Sequence, residues 1–244
     1  RYPLSTMPDI PLAPRNIRNT LQAKNFFDCN CHFTTTEWQR EQYPEGMRGF
    51  ISVLRKCVDT EFFAPAPVSR FSFGDCELTE RQESVTLSVR DAARLREGGF
   101  WCELPSLLSA RPDCHVVLIS TGKEVRLDSL RESMAAFPSG MRGRIHLLDF
   151  LPPGAYRDLL CVSSLHLCKD ISFMLPSELL EAMSCGCVVL APDTGAVREV
   201  LSDGQNGFLY PSGRRMNWVM LITLLLERRS ELLSIRRNAR KTVF

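Results

Sequence analysis

The sequence predicts an α/β fold, a mostly parallel sheet with helices on both faces. Three observations carry that expectation. Short apolar runs of strand length, such as Cys114–Ile119 and Cys187–Leu190, alternate with helix-length amphipathic segments, the succession that gives parallel strands joined by crossover helices. The 244 residues are 44% apolar and 24% charged, enough for a substantial core and too apolar for general disorder. No apolar run reaches the length of about eighteen residues that a membrane span needs, so the chain reads as soluble.

Residues 1–20, with Pro3, Pro8, Pro11 and Pro14, read as an extended arm, because each proline removes a backbone donor and restricts its neighbour. A short helix is expected from Thr36 to Tyr43: Thr34–Thr36 can cap it, Glu37 adds negative charge to its first turn and Pro44 stops it. The strand Phe50–Leu54 leads to a linker around Pro65 and Pro67. Ser84–Val89 is a strand, Phe100–Leu108 a helix with Pro105 inside it, and Cys114–Ile119 a buried strand after the Arg111-Pro112-Asp113 break. There follow a helix Leu127–Ala136, a strand Arg144–Leu148, a turn at Pro152-Pro153-Gly154 and a helix Ala155–Cys161. Leu165–Cys168, helix Ser177–Ser184, strand Cys187–Leu190 and helix Ala196–Leu201 continue the alternation. After the Asn206-Gly207 turn comes Phe208–Tyr210, and then one long helix, Asn217–Leu233, with Leu221, Leu224, Leu225 and Leu232 on its core face.

Charge and cysteine usage exclude several classes. Lys and Arg number 30 against 28 Asp and Glu, a net charge of +2, and the basic residues form only short clusters at Arg214-Arg215, Arg228-Arg229 and Arg236-Arg237 with Arg240-Lys241. A solvated or partner-facing tail is the first reading of those clusters; binding a polyanion such as nucleic acid is the second. Of ten cysteines, Cys161, Cys168, Cys185 and Cys187 lie in apolar segments and read as reduced core thiols, which places the chain in a reducing intracellular compartment. Cys29/Cys31 and Cys185/Cys187 are spaced too closely for a zinc knuckle, and no metal or cofactor is expected. Dinucleotide and phosphate-loop glycine patterns, the His-Glu-x-x-His pattern and the Gly-x-Ser-x-Gly elbow are all absent.

The candidate site lies around the helix Ser177–Ser184. Glu178 shares a face with Glu181 and Ala182, while Leu179, Leu180 and Met183 can pack on the sheet. Glu181, flanked by apolar residues, needs a donor: ribose hydroxyls of a bound nucleotide would serve, and so would a backbone group or an arginine. Glu178 sits nearer the helix start, which stabilises it in a structural role. Thr194, Gly195 and Ala196 open the next helix, where exposed amides and the Thr194 hydroxyl could take a phosphate or carboxylate; a plain capped helix reads equally well. Arg90 and Arg96 follow the first strand and Lys123 follows the strand ending near Ser120, positions suited to a departing diphosphate. Because Arg94 and Glu97 share that loop with them, an ordinary surface charge cluster is the alternative. His115, His146 and His166 lie in or beside apolar runs and read as packing residues.

Three blocks carry a family resemblance: Leu179-Leu180-Glu181-Ala182-Met183-Ser184-Cys185-Gly186 with Cys187–Leu190, Asp193-Thr194-Gly195-Ala196-Val197-Arg198-Glu199-Val200, and Asp203-Gly204-Gln205-Asn206-Gly207-Phe208-Leu209. Together they resemble the retaining nucleotide-sugar glycosyltransferases of two facing Rossmann-like domains (the GT-B fold, the group of sucrose and glycogen synthase relatives), chiefly the C-terminal, donor-binding domain. The resemblance implies that Glu181 holds the donor ribose, that the Thr194–Ala196 amides face the donor, and that basic residues after the first strand, here Arg90 and Arg96, neutralise the diphosphate. It implies no cofactor beyond the nucleotide-diphosphate sugar itself. A second glutamate expected eight residues before Glu181 is replaced by Phe173, whose ring cannot accept a sugar hydroxyl. The expected organisation is an arm, remnant acceptor domain and linker over 1–64, a nucleotide-sugar-binding domain over 65–210 and a helical tail over 211–244. Residues 1–60 are too few for a whole acceptor domain, so a protein partner or a further N-terminal domain is expected to complete the site. The competing expectation is a shortened, non-catalytic relative kept as a structural subunit of an assembly.

Overall fold

The computed structural model describes residues 26, 28–67, 70–97, 99–122, 125–169, 173–212 and 216–243; the expected arm 1–20, Lys123 and Arg214-Arg215 lie outside them. The first described elements are small. Strands β1 (His32–Thr34) and β2 (Ile51–Val53) pair in parallel, with helices α1 (Glu37–Glu41) and α2 (Glu45–Arg48) between them. α1 starts on a capping box: Thr36 Oγ1 accepts from the Gln39 amide at 3.1 Å, and Gln39 Oε1 accepts from the Thr36 amide at 3.1 Å. A hairpin of β3 (Arg70–Phe73) and β4 (Cys76–Thr79) follows, turning at Gly74 with φ +57°.

The apolar runs become one six-stranded parallel sheet. Its members are β5 (Glu83–Val89), β6 (Cys114–Ser120), β7 (Ile145–Leu148), β8 (Leu165–Leu167), β9 (Val188–Asp193) and β10 (Phe208–Pro211), in the spatial order β10-β9-β8-β5-β6-β7. The strands are nearly all apolar because both sheet faces are covered. One face packs Leu87, Leu118 and Leu190 beneath α3 (Ala92–Glu97), α4 (Gly99–Ala110), α5 (Asp128–Met134) and the helical segment Trp218–Glu227, with the short α6 (Ser139–Arg142) leading into β7. The other packs Val117, Ile119 and Val189 beneath α7 (Pro153–Val162), α8 (Ser177–Ser184) and the hairpin, whose Phe71 and Leu78 are buried there. α9 (Gly195–Arg198) joins β9 to the β10 region.

The chain runs outward from β5 to β7, returns to β8 beside β5 and proceeds outward the other way. That reversal opens a crevice at the carboxyl ends of β5 and β8, where open α/β sheets bind their ligands. The expected single helix Asn217–Leu233 is instead divided into α10 (Trp218–Glu227), a 3-10 turn (Arg229–Leu232) and α11 (Leu233–Val243). The break lets α10 lie on α4 while α11 crosses to α8. Leu225 and Leu232 are buried as expected, but Leu224 is 47% exposed. Two members of the basic cluster hold α11 down: Arg236 donates to the Ser163 and Ser164 carbonyls, and Arg240 to those of Thr60, Phe63 and Ser184. No helix among the described residues is long and apolar enough to cross a membrane.

Candidate functional site

α8 is built to hold carboxylates against the crevice. Its start carries no side-chain cap, so Glu178 lies in the first turn among free amides. Its end is fixed by Gly186 at φ +70°: the Cys187 amide donates to Ala182 O at 2.9 Å and the Gly186 amide to Met183 O at 3.0 Å, a Schellman closure that only glycine adopts without strain. The chain therefore turns directly into β9, and the helix sits on the sheet with Leu179, Leu180 and Met183 buried.

A cavity of about 340 Å³ opens where β5 and β6 end. Glu178 and Glu181 enter it from α8, Ser88 and Arg90 from the end of β5, and Tyr156 from α7. Ile119, Phe150 and Leu151 form an apolar shelf along another side. Arg90 meets Glu178 at 3.3 Å; the carboxylate is buried while the guanidinium side chain remains 49% exposed. Burial pushes the Glu178 carboxyl above the usual range, and Arg90, together with Ser88, opposes that rise. Glu181 is raised as well, first by burial and then by the neighbouring Glu178 charge, with Lys56 acting against both. Lys56 is anchored through Nζ to Leu175 O at 3.3 Å.

Two polar groups in this cavity are left open. The Glu181 carboxylate makes no hydrogen bond or ion pair among the described residues, and the buried Tyr156 hydroxyl has no hydrogen-bond partner there. Burial and the two glutamates push the Tyr156 phenol well above its ordinary pKa, with the nearby Ser88 side chain acting against them without reaching hydrogen-bonding geometry, so it is a neutral hydroxyl able to donate or accept. A buried hydroxyl without a partner costs free energy unless a ligand or water supplies one.

The other expected site residues are placed differently. Thr194 caps α9, its Oγ1 accepting from the Val197 amide at 3.4 Å. Gly195 lies directly beneath the Trp38 indole: a Cβ built on it would fall 2.0 Å from Trp38 Cδ1. Glu199 secures that arrangement by accepting from the amides of Glu37 at 3.0 Å and Trp38 at 2.5 Å. Thr194, Gly195 and Ala196 are thus absent from the lining of the cavity that holds Arg90, Glu178 and Glu181. Arg96 is exposed on α3, a helix where the sequence suggested a loop. Phe173 is buried against Trp38, with ring centroids 5.6 Å apart, and its carbonyl accepts from Gln39 Nε2. Sequence reasoning did not single out Ser88, Tyr156 or Lys56; nothing in their local spacing marks them, because only the tertiary fold brings them to Glu181.

Comparison with known proteins agrees with this geometry. Residues 104–242 match the family model described as glycosyl transferases group 1. The chain is 27% identical over 169 residues to the alpha-maltose-1-phosphate synthase of Mycobacterium tuberculosis, covering 68% of this chain and 43% of that protein. It is 30% identical over 154 residues to the phosphatidyl-myo-inositol mannosyltransferase of Mycolicibacterium smegmatis, covering 63% and 37% respectively. The chain therefore spans less than half the length of these relatives. Among solved structures it shares the fold of Anabaena HepE in complex with UDP-glucose, with a TM-score of 0.71 at 17% identity over 95% of this chain and 63% of that one. It also shares the fold of the C-terminal domain of a group 1 glycosyl transferase, LpcC, from Francisella tularensis, with a TM-score of 0.57 at 20% identity over 76% of this chain and 96% of that one. With the family match extending over more than half of its residues, the crevice between β5 and β8 has its context: this chain belongs to the group 1 glycosyl transferases and has their GT-B type of sheet.

Proposed function

We propose that the cavity at the sheet switch point binds a nucleotide-diphosphate sugar, and that the chain is the donor-binding part of an enzyme transferring that sugar with retained configuration. The carrying observation is the open Glu181 carboxylate facing the same space as Arg90 and the unpartnered Tyr156 hydroxyl. In this reading Glu181 accepts from the ribose hydroxyls, and the half-exposed Arg90 stabilises charge developing on the departing diphosphate. Ile119, Phe150 and Leu151 suit the flat apolar faces of a base. Arg96 adds positive field at the rim. Thr194, Gly195 and Ala196 reach the donor only if Trp38 moves aside. An acceptor-binding domain, on the same polypeptide or a partner, excludes water from the reacting centre.

Calorimetry with a panel of nucleotide sugars tests the reading. Binding that weakens by about 1–3 kcal/mol in Glu181→Ala, with folding intact, supports the ribose contact; unchanged affinity refutes it. Because the accepting form is the carboxylate and its pKa is raised, affinity should decline on acidification at a pH above the ordinary carboxylate range. No binding by the folded chain at millimolar donor would favour the structural-subunit alternative.

A further inference from the structure

Tyr156 closes the first turn of α7, its amide donating to the Pro152 carbonyl at 3.0 Å. The ring packs against two apolar clusters at once, one that includes Phe71 and Ile119 and one that includes Leu180 and Val189. For that wedge a plain phenyl ring would serve as well. The hydroxyl it carries is buried, belongs to the lining of the crevice cavity with Glu178 and Glu181, and has no hydrogen-bond partner among the described residues. Packing fixes the phenol oxygen in place and leaves only its O–H bond free to turn. A buried hydroxyl held in this way is a cost to the fold unless something from outside pairs with it.

We propose that Tyr156 is a ligand-binding residue whose hydroxyl donates to a ribose hydroxyl oxygen, so that the cavity takes ribonucleotides and discriminates against their deoxy counterparts. The inference rests on the reading that this cavity binds a nucleotide. Ionised Glu181 is an acceptor only, and a ribose hydroxyl that donates to it keeps two lone pairs, which in a buried place need a donor of their own. Arg90, half exposed and paired with Glu178, is suited to the charged phosphates instead. The phenol keeps its proton, because burial and both glutamate charges hold it in the neutral form. Tyr156 from α7 and Glu181 from α8 then grip the sugar of the nucleoside from two elements. A ligand without the contacted hydroxyl leaves both groups unpaired, which is how a polar site rejects a close analogue.

The test is calorimetry on the full chain with UDP, GDP and ADP, followed by the 2′-deoxy and 3′-deoxy forms of whichever binds. Tyr156→Phe keeps the ring between its clusters, so the variant should melt at the wild-type temperature or slightly above it. Its affinity for the ribonucleotide should fall about fivefold, the worth of one neutral hydrogen bond. With one of the two deoxy ligands, the variant and the wild type should bind within about twofold of each other, because the contacted oxygen is already gone. A tyrosine that only packs would not produce that split. The proposal is overturned if Tyr156→Phe leaves ribonucleotide affinity unchanged, if its loss persists in full with both deoxy ligands, or if the melting temperature falls, since the hydroxyl would then serve the fold. Failure of the wild type to bind any of the three diphosphates removes the nucleotide reading and this inference together. Weakening by Glu181→Ala with none by Tyr156→Phe removes this inference alone.

Discussion

The two ends of the parallel sheet are finished in opposite ways. At the end where β5 and β6 begin, polar groups bind one another: Gln82 Nε2 lies 3.2 Å from His115 Nε2, and His115 Nδ1 lies 2.9 Å from His146 Nε2, with the imidazole rings stacked. Arg111 pairs there with Glu83 through Nε at 3.0 Å and through Nη2, both side chains being mostly buried. Arg144 donates to the Leu108 and Arg111 carbonyls. At the carboxyl end Arg90 is half exposed, Glu181 is unpaired among the described residues and the Tyr156 hydroxyl lacks a partner. Internal satisfaction marks an end that serves stability, and open polar groups mark an end arranged for something not yet bound.

Substitutions can separate the two ends. Arg111→Met should have the largest effect, about 3 kcal/mol in denaturant unfolding, because it strands Glu83 without a partner in a largely buried position. Arg90→Met should lose about 1 kcal/mol or less, since the half-exposed guanidinium is already partly screened by solvent and the buried Glu178, whose carboxyl is already raised by burial, can take up a proton or meet water in the cavity. Equal losses would erase the contrast between the ends.

Acid should act next. Burial lowers His166 within the sheet to about 4, and burial with the nearby His115 lowers His146 to about 4. The unfolded chain therefore binds these protons first, and stability declines as pH falls from about 6.5 toward 4, by about 2 kcal/mol at pH 5 for His166 and less for the partly exposed His146. Glu178 and Glu181 act in the opposite direction: their raised folded pKa values favour the folded state as pH falls through the carboxylate range. Thermal melts of His146→Gln should show a shallower acid slope, and an unaltered slope would remove this histidine from the closed end's role. The smallest effect on stability belongs to Glu181→Gln, within about 0.5 kcal/mol by denaturant titration, because the side chain has no protein partner to lose.

The parallel sheet and its succession of elements were legible because strand-length apolar runs and helix-length segments alternate from Glu83 to Pro211, and the Ser177–Ser184 helix was legible to the residue because Pro176 and Gly186 bound it. The hairpin 70–79 went unread although Gly74-Asp75 between alternating residues is a hairpin signal. The division of 217–233 had no such signal: no glycine or proline interrupts it, and packing on two different faces of the sheet overrides helix propensity there. At the site, the sequence placed Arg90 at the carboxyl end of a strand and Glu181 on the Ser177–Ser184 helix, and the strand order of the fold brings them to one cavity. The cover over Gly195 was not legible, because it depends on Trp38, distant along the chain and positioned by Glu199.

That cover gives the molecule a gauge of its own. An indole resting on a residue without a side chain must change its surroundings whenever the 32–53 segment lifts from α9, so shifts in tryptophan emission, read against a Trp38→Phe control, would time any such opening in solution without an attached dye.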